Sequence, residues 1–422
     1  MNQTTPEPET MIATTLPNLP RRAMLQASVS LGVLVVGGRG GGSTASAGAV
    51  PLTPGQPGGS VTTTTTQPST GKLPAWLTGN PVFAWVTLPS LSASMALPNP
   101  PLPGITGVSS VTDAWGGGAL RVNGSYYILH GGGHGDYSGN EIYVLQLSAD
   151  APQWQRIWGP TPASDITPAT VRYADGNPPS IHGYYMLQHI ASTDTFMRFG
   201  SGEYTVGGIS VQVDGWAWGA TNWHPVNTYA NLPTSYGYPW GSAKDSQGNV
   251  YIVLNNYTLY RWGVATNSWT SVMGLRTAVF GGPLVYDSLR NILWSWGGTG
   301  APYMTTGQVY KLDLNTLTAS VFNMTGNGAT AFYAASNGYG AGAAYDPVAD
   351  KIFLYDGTGT LYQFDPATLS CSIVITTGTP PPDSIQSGSH TAPHGKFQYV
   401  PELAGCVIQP LWSASTYFLR TH

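Results

Sequence analysis

The chain has 422 residues and a net charge of −4, and only 9% of it is charged, against roughly 25% in an average globular protein. So few lysines and arginines leave no basic stripe for phosphate neutralisation, which argues against a nucleic-acid partner. The same scarcity excludes coiled coils and long exposed helices, while 41% hydrophobic and 11% aromatic residues argue against general disorder. With 54 Gly and 34 Pro, the chain turns often. An all-β protein working outside the cytoplasm is expected.

Taken in order, residues 1–47 read as an export segment. Arg21-Arg22 precedes an apolar run of about fourteen residues, and Ala45-Ser46-Ala47 fits a cleavage site of small residues. The run carries Gln26, Ser28 and Ser30, so it is too short and too polar to span a bilayer. Paired arginines before a weakly apolar segment resemble a twin-arginine signal. A virion-borne adhesin, with an incidental Arg pair, is the lesser alternative. Residues 48–75 are rich in Pro, Gly and Thr and read as a flexible linker. Cys371 and Cys406 are the only cysteines and form no CxxC pair, so neither a disulfide scaffold nor thiolate metal ligation is expected.

From Trp76 the sequence repeats. An apolar strand, a turn and a second apolar strand recur, as in Lys244-Asp245-Ser246 before Val250-Tyr251-Ile252-Val253, and Tyr345-Asp346-Pro347 before Ile352-Phe353-Leu354. A third strand carries a tyrosine (Tyr143, Tyr260, Tyr310, Tyr362, Tyr417), and a fourth often carries Trp154, Trp223, Trp269, Phe322 or Ile373. Four strands per repeat define a β-propeller blade. Six second-strand markers (Tyr127, Phe196, Tyr251, Ile292, Ile352 and Val407) imply six blades of about 58 residues across 76–422. A count of seven stays open because the loops around Arg172 and Thr330 are long. The last unit lacks a fourth strand, which Phe83-Ala84-Trp85-Val86-Thr87-Leu88 can supply, closing the ring without a long free edge.

The segment from His130-Gly131-Gly132-Gly133-His134-Gly135-Asp136-Tyr137 to Tyr143 resembles the signature of secreted bacterial kelch-like propellers of the galactose oxidase type. Gly297-Gly298 resembles the kelch diglycine, and His394-Gly395-Lys396-Phe397-Gln398-Tyr399-Val400-Pro401 resembles that family's final blade. Phe199-Gly200-Ser201 and Asn255-Asn256 depart from the pattern where further diglycines belong. The resemblance implies a kelch-type, four-stranded-blade propeller. It implies little about activity, because such folds serve as enzymes and as binding modules.

In a propeller, the ends of second strands and the starts of first strands share a face. This topology gathers His130, His134, Asp136 and Tyr137 with His182, Tyr184 and Tyr185, with Arg172 and Tyr173 in the connecting loop. His390 and His394 join them from the last blade, so five of the eight histidines fall on one face. Trp115, Tyr236, Tyr238, Trp240, Tyr339 and Trp412 are the accompanying aromatics. Each also has a packing role open to it: the glycines permit a tight strand exit, and His134 and Asp136 can serve turn backbone.

Three chemistries fit such a face. Aromatic stacking with hydroxyl recognition would bind a polysaccharide or cell-surface glycan through Asp136, Arg172, Tyr173, Tyr238, Trp240, His390, His394 and Trp412. A polysaccharide lyase would use His130, His134, Tyr137, His182 or Tyr184 as base and acid in β-elimination beside a uronate carboxylate. A divalent metal on His130, His134, Asp136 and His182 is conceivable chemically, but no cofactor is expected. Galactose-oxidase copper chemistry lacks a Cys beside a ligand Tyr, paired glycosidase carboxylates are not visible, and no G-x-S-x-G elbow occurs. Glycan binding by a monomer is the favoured reading, and whether any bond is broken stays open.

Overall fold

The computed structural model describes residues 72–94, 98, 101–167, 171–204, 209–234, 241–254, 257–275, 282–296, 307–336, 340–385 and 391–422. The export segment and almost all of the linker therefore lie outside the described residues, as does Gly297-Gly298.

Strand β1 (Ala84–Ser90) comes first and waits for the end of the chain. Blade one then follows as β2 (Gly117–Arg121), β3 (Tyr126–His130), β4 (Ile142–Gln146) and β5 (Trp154–Trp158). Blade two is β6 (Leu187–Ile190), β7 (Thr195–Gly202) and β8 (Ile209–Ala217). Blade three holds β9 (Gly241–Lys244), β10 (Val250–Leu254), β11 (Thr258–Gly263) and β12 (Ser268–Gly274). Blade four holds β13 (Leu284–Asp287), β14 (Ile292–Ser295), β15 (Gln308–Asp313) and β16 (Thr318–Asn323). Blade five is β17 (Gly342–Asp346), β18 (Lys351–Tyr355), β19 (Leu361–Asp365) and β20 (Ser370–Val374). After the two-residue β21 (Thr377–Gly378), blade six is β22 (Gln398–Val400), β23 (Gly405–Ile408) and β24 (Ser415–Arg420). Consecutive strands within a blade pair antiparallel. The expected closure is present: β1 pairs antiparallel with β24, from Trp85 opposite Leu419 to Ser90 opposite Ser415.

Side-chain alternation explains how each blade packs against two neighbours. In a strand, neighbouring residues point to opposite faces, and each blade is covered on both faces by its neighbours. In β3, Tyr127 and Leu129 enter one core with Val400 and Phe418 of blade six, while Ile128 enters another with Leu187 and Phe196 of blade two. Blades two and three share Phe199 and Trp262; blades three and four share Tyr251 and Leu293. Trp294 and Phe364 join blades four and five, and Trp85, Phe353 and Leu419 join five and six. Six interblade cores, each apolar, close one ring.

Polar latches reinforce several junctions. Arg121 grips Asp194 of blade two at 2.7 and 2.8 Å and lies over Trp218. Arg290 grips Asp350 of blade five at 2.6 Å through both terminal nitrogens. Bidentate geometry of this kind fixes orientation as well as distance.

Blade two departs from the expected pattern at its rim. Trp223 does not lie in a fourth strand; among the described residues this sheet has three. The outer position is taken by an irregular stretch bonded to β8 through the His224 amide on the Gly215 carbonyl and the Leu232 amide on the Val211 carbonyl. Pro225 and Pro233 lie within it and cannot donate to a ladder. Trp223 instead turns inward, against Phe196 at 6.2 Å. Cys371 and Cys406 are free and buried.

Candidate functional site

The first strands of all six blades run in the same direction around the channel, so their starts share one face. Blades six, one and two meet there. The turn after β3 enters through Gly133 at φ +35°, where the amide of Gly133 meets the Ser180 hydroxyl at 3.1 Å. Ahead of β6, the His182 amide donates to Gly202 at 2.8 Å and the Tyr184 amide to the Trp115 carbonyl at 2.8 Å. The Tyr184 carbonyl accepts from Gly395 of blade six at 3.0 Å, and the His394 amide donates to Gly340. Main chains of blades five, six, one and two are thus fastened in series.

The side chains on this scaffold form one run of rings. His182 contacts Trp115 at 4.6 Å, His134 at 5.4 Å and Tyr184 at 5.8 Å between centroids. Tyr184 contacts His394 at 5.3 Å, and Tyr185 contacts it at 5.5 Å, both edge-on. Four of these residues, Trp115, His134, Tyr184 and His394, have φ of +50°, +51°, +39° and +43°. Bulky side chains rarely adopt that region, and such strain persists where surrounding structure imposes it. Trp115 and His134 are half-buried, whereas His182 and His394 are almost fully enclosed.

Asp136 completes the group. Its Oδ2 lies 2.9 Å from His182 Nε2, and Thr106 donates to Oδ1 at 2.8 Å. Burial opposes ionisation of Asp136, but the bonds from His182 and Thr106 outweigh it and hold the carboxyl below its ordinary range. Burial also pushes the His182 pKa down, an effect only partly offset by Asp136. The ring is therefore neutral at neutral pH, with its proton on Nε2 facing the carboxylate. Its Nδ1 is buried without a hydrogen-bond partner in the structure.

Other expected site residues go elsewhere. His130 ends β3 one register step away and points into the core between blades one and two. It bonds to the Glu141 carbonyl at 2.9 Å and packs on Phe196 and Trp223, and burial pushes its pKa down to about 3. Tyr137 is buried, with its hydroxyl donated to Glu141 at 2.6 Å. Arg172 pairs with Asp214 at 2.5 Å, Tyr173 is buried beside it, and Trp412 packs edge-on against Tyr143. Tyr236, Tyr238, Trp240, Tyr339 and His390 lie outside the described residues. Among the described residues no group of three or more His, Cys, Asp or Glu is arranged to hold a metal. A cavity of about 320 Å³ follows the central channel and takes Tyr185 and His394 from these rings. Thr106, which steadies Asp136, sits in a loop ahead of the first blade, and nothing in its local sequence marks it.

No protein-family profile matches this chain, and no curated protein does. Among solved structures the chain is similar to a streptogramin B lyase structure. Identity is 11%, with 73% of this chain and 94% of that chain covered and a TM-score of 0.41. The architecture itself, a six-bladed β-propeller, rests on the strands and cores described above.

Proposed function

We propose that this ring is an exported, kelch-like glycan-binding propeller, and that the face formed by blades six, one and two receives the sugar. The observation carrying this reading is the run of rings from Trp115 through His134, His182 and Tyr184 to His394, held in strained backbone and edged by Asp136. Half-buried Trp115 offers an apolar ring face to a pyranose, while His134 and Asp136 offer polar atoms to hydroxyls. Export through the twin-arginine-like segment belongs to the same proposal and accords with the low charge of the chain.

A second reading, β-elimination on a uronate polysaccharide, is favoured by one observation: neutral His182, steadied by ionised Asp136, lies beside Tyr184. A base and an acid are thereby paired. Carboxylate neutralisation weakens it. Arg172 is engaged by Asp214, and Lys396 gives its ammonium to the carbonyls of Thr112, Thr391 and Pro410.

Titration of the secreted chain against neutral and uronate-containing polysaccharides separates the two readings. Binding without turnover is expected, weakened about tenfold or more (about 1.4 kcal/mol) by Trp115→Ala or His134→Ala. Retention of full affinity in both variants would exclude this face. Release of an unsaturated product, abolished in His182→Ala, would establish the lyase instead.

A further inference from the structure

The central channel has features of a second site, which shares only Tyr185 and His394 with the ring cluster. Its cavity of about 320 Å³ is walled by first strands, with Leu120, Leu187, Leu284 and Phe397 making the walls largely apolar. At the starts of those strands the lining residues Tyr185 and His394 are buried and Gly395 is half-buried. At the opposite end the lining includes Val122 and Ser246, both exposed, in the turns that follow β2 and β9. The cavity is therefore entered from the face away from the cluster.

The rim has a specific chemistry. Tyr286 and Tyr345 line it, but their hydroxyls donate to Asn291 at 3.0 Å and Asp350 at 2.9 Å, so the rings are what they offer. Lys244 lines the same cavity and has one hydrogen bond, to the His189 carbonyl. An ammonium has three donors. The neighbouring Asp245 is held by its own turn, accepting from the amides of Gln247 and Asn249 at 2.9 Å and from the Asn249 side chain at 2.8 Å. Apolar walls with a few placed polar groups, at this volume, are the ordinary composition of a small-molecule site.

We propose that the channel binds a small molecule with an apolar, ring-sized body and one anionic group, the anion resting on Lys244. Unspent donors select the occupant: Lys244 is the one lysine or arginine among the lining residues and has donors beyond the His189 carbonyl, whereas the oxygens of the neighbouring Asp245 are taken up by its own turn, which favours an anion on Lys244 over a neutral molecule.

The test uses the whole chain and two fluorescent probes of similar body, anilinonaphthalene sulfonate and uncharged phenylnaphthylamine. One saturable site is expected, with the sulfonate bound at least about tenfold more tightly. Lys244→Met should erase that preference, and Ala343→Leu, which narrows the cavity, should weaken both probes. Trp115→Ala should leave both unchanged, since it lies on the other face. Thermal melts confirm that each variant is folded, and Lys244→Gln replaces Lys244→Met if the latter unfolds. Absence of saturable binding, or a sulfonate preference surviving both Lys244 variants, would overturn the proposal. Loss of probe binding in Trp115→Ala would overturn it too, by placing the probe on the cluster. Glycan retention in the Lys244 variants is a separate readout, so either proposal can fail without the other.

Discussion

Replacing Gly133 with alanine should both unfold the ring more easily and abolish ligand retention. The residue sits at φ +35°, and a Cβ there would overlap the His182 amide and the Gly202 carbonyl, which hydrogen-bond to each other. Both obstacles are main chain, so no rotamer change can relieve them. Backbone strain and overpacking act together, and a loss of about 3–5 kcal/mol is expected. Urea denaturation checks the stability, and binding at a temperature where the variant is folded checks the site. Gly135→Ala is the control, because the only neighbour of its Cβ would be the end of the Ile105 side chain at 3.9 Å. If Gly133→Ala behaves like that control, the description of the turn is wrong.

Truncating Arg198 should have a comparable effect by a different route. Its guanidinium is 1% exposed and bonds Asp214 at 2.8 Å, the Pro179 carbonyl, and Glu203 at 3.5 Å. Arg198→Met removes the central cation and leaves two buried carboxyls with less compensation, a change worth about 3–5 kcal/mol. The network also predicts a pH dependence. Burial, only partly countered by Arg198, raises the Glu203 pKa from 4.5 to about 7. The folded state thus keeps a proton that the unfolded chain has released, so this group's stabilisation is full at low pH. It is lost as pH rises from 4.5 towards about 7. Glu203→Gln should flatten that slope in denaturation midpoints measured across the window. In Arg198→Met the decline should extend to higher pH, because the group that favours ionisation is gone. A slope unchanged in Glu203→Gln would assign the pH dependence to other groups.

The network has a structural consequence for the ring cluster. Glu203 bridges in register with Ile181, and the His182 amide donates to Gly202. The buried charges therefore stand behind the segment that positions the imidazole, a side chain that meets Asp136 on one side and Trp115 and His134 on others. Softening Arg198 should reach binding through His182 rather than through any contact with ligand.

Local pattern was enough to reveal the propeller. Strands covered on both faces must be apolar at successive positions, and turns must interrupt them, so the repeats from Lys244 to Val253 and from Tyr345 to Leu354 are visible in the residues themselves. The missing strand of the last repeat and the spare one at Ala84–Ser90 follow from the same count. Topology likewise places His134, Asp136, His182 and His394 on one face before any side chain is positioned. What only the tertiary structure decided is where each side chain goes from there. His130 and His134 are four positions apart, yet one enters an interblade core and the other meets His182, because strand register sends the first inward while Gly133 at φ +35° turns the chain before the second. Trp223 looks like a strand residue by type, but Pro225 and Pro233 deny its segment a ladder and leave it to fill the space beside Phe196. The pairings of Arg198 with Asp214, Arg172 with Asp214 and Thr106 with Asp136 join residues 16, 42 and 30 positions apart, respectively. Charge and hydrogen-bond partners are chosen by proximity after folding, and no periodicity in the chain records that choice.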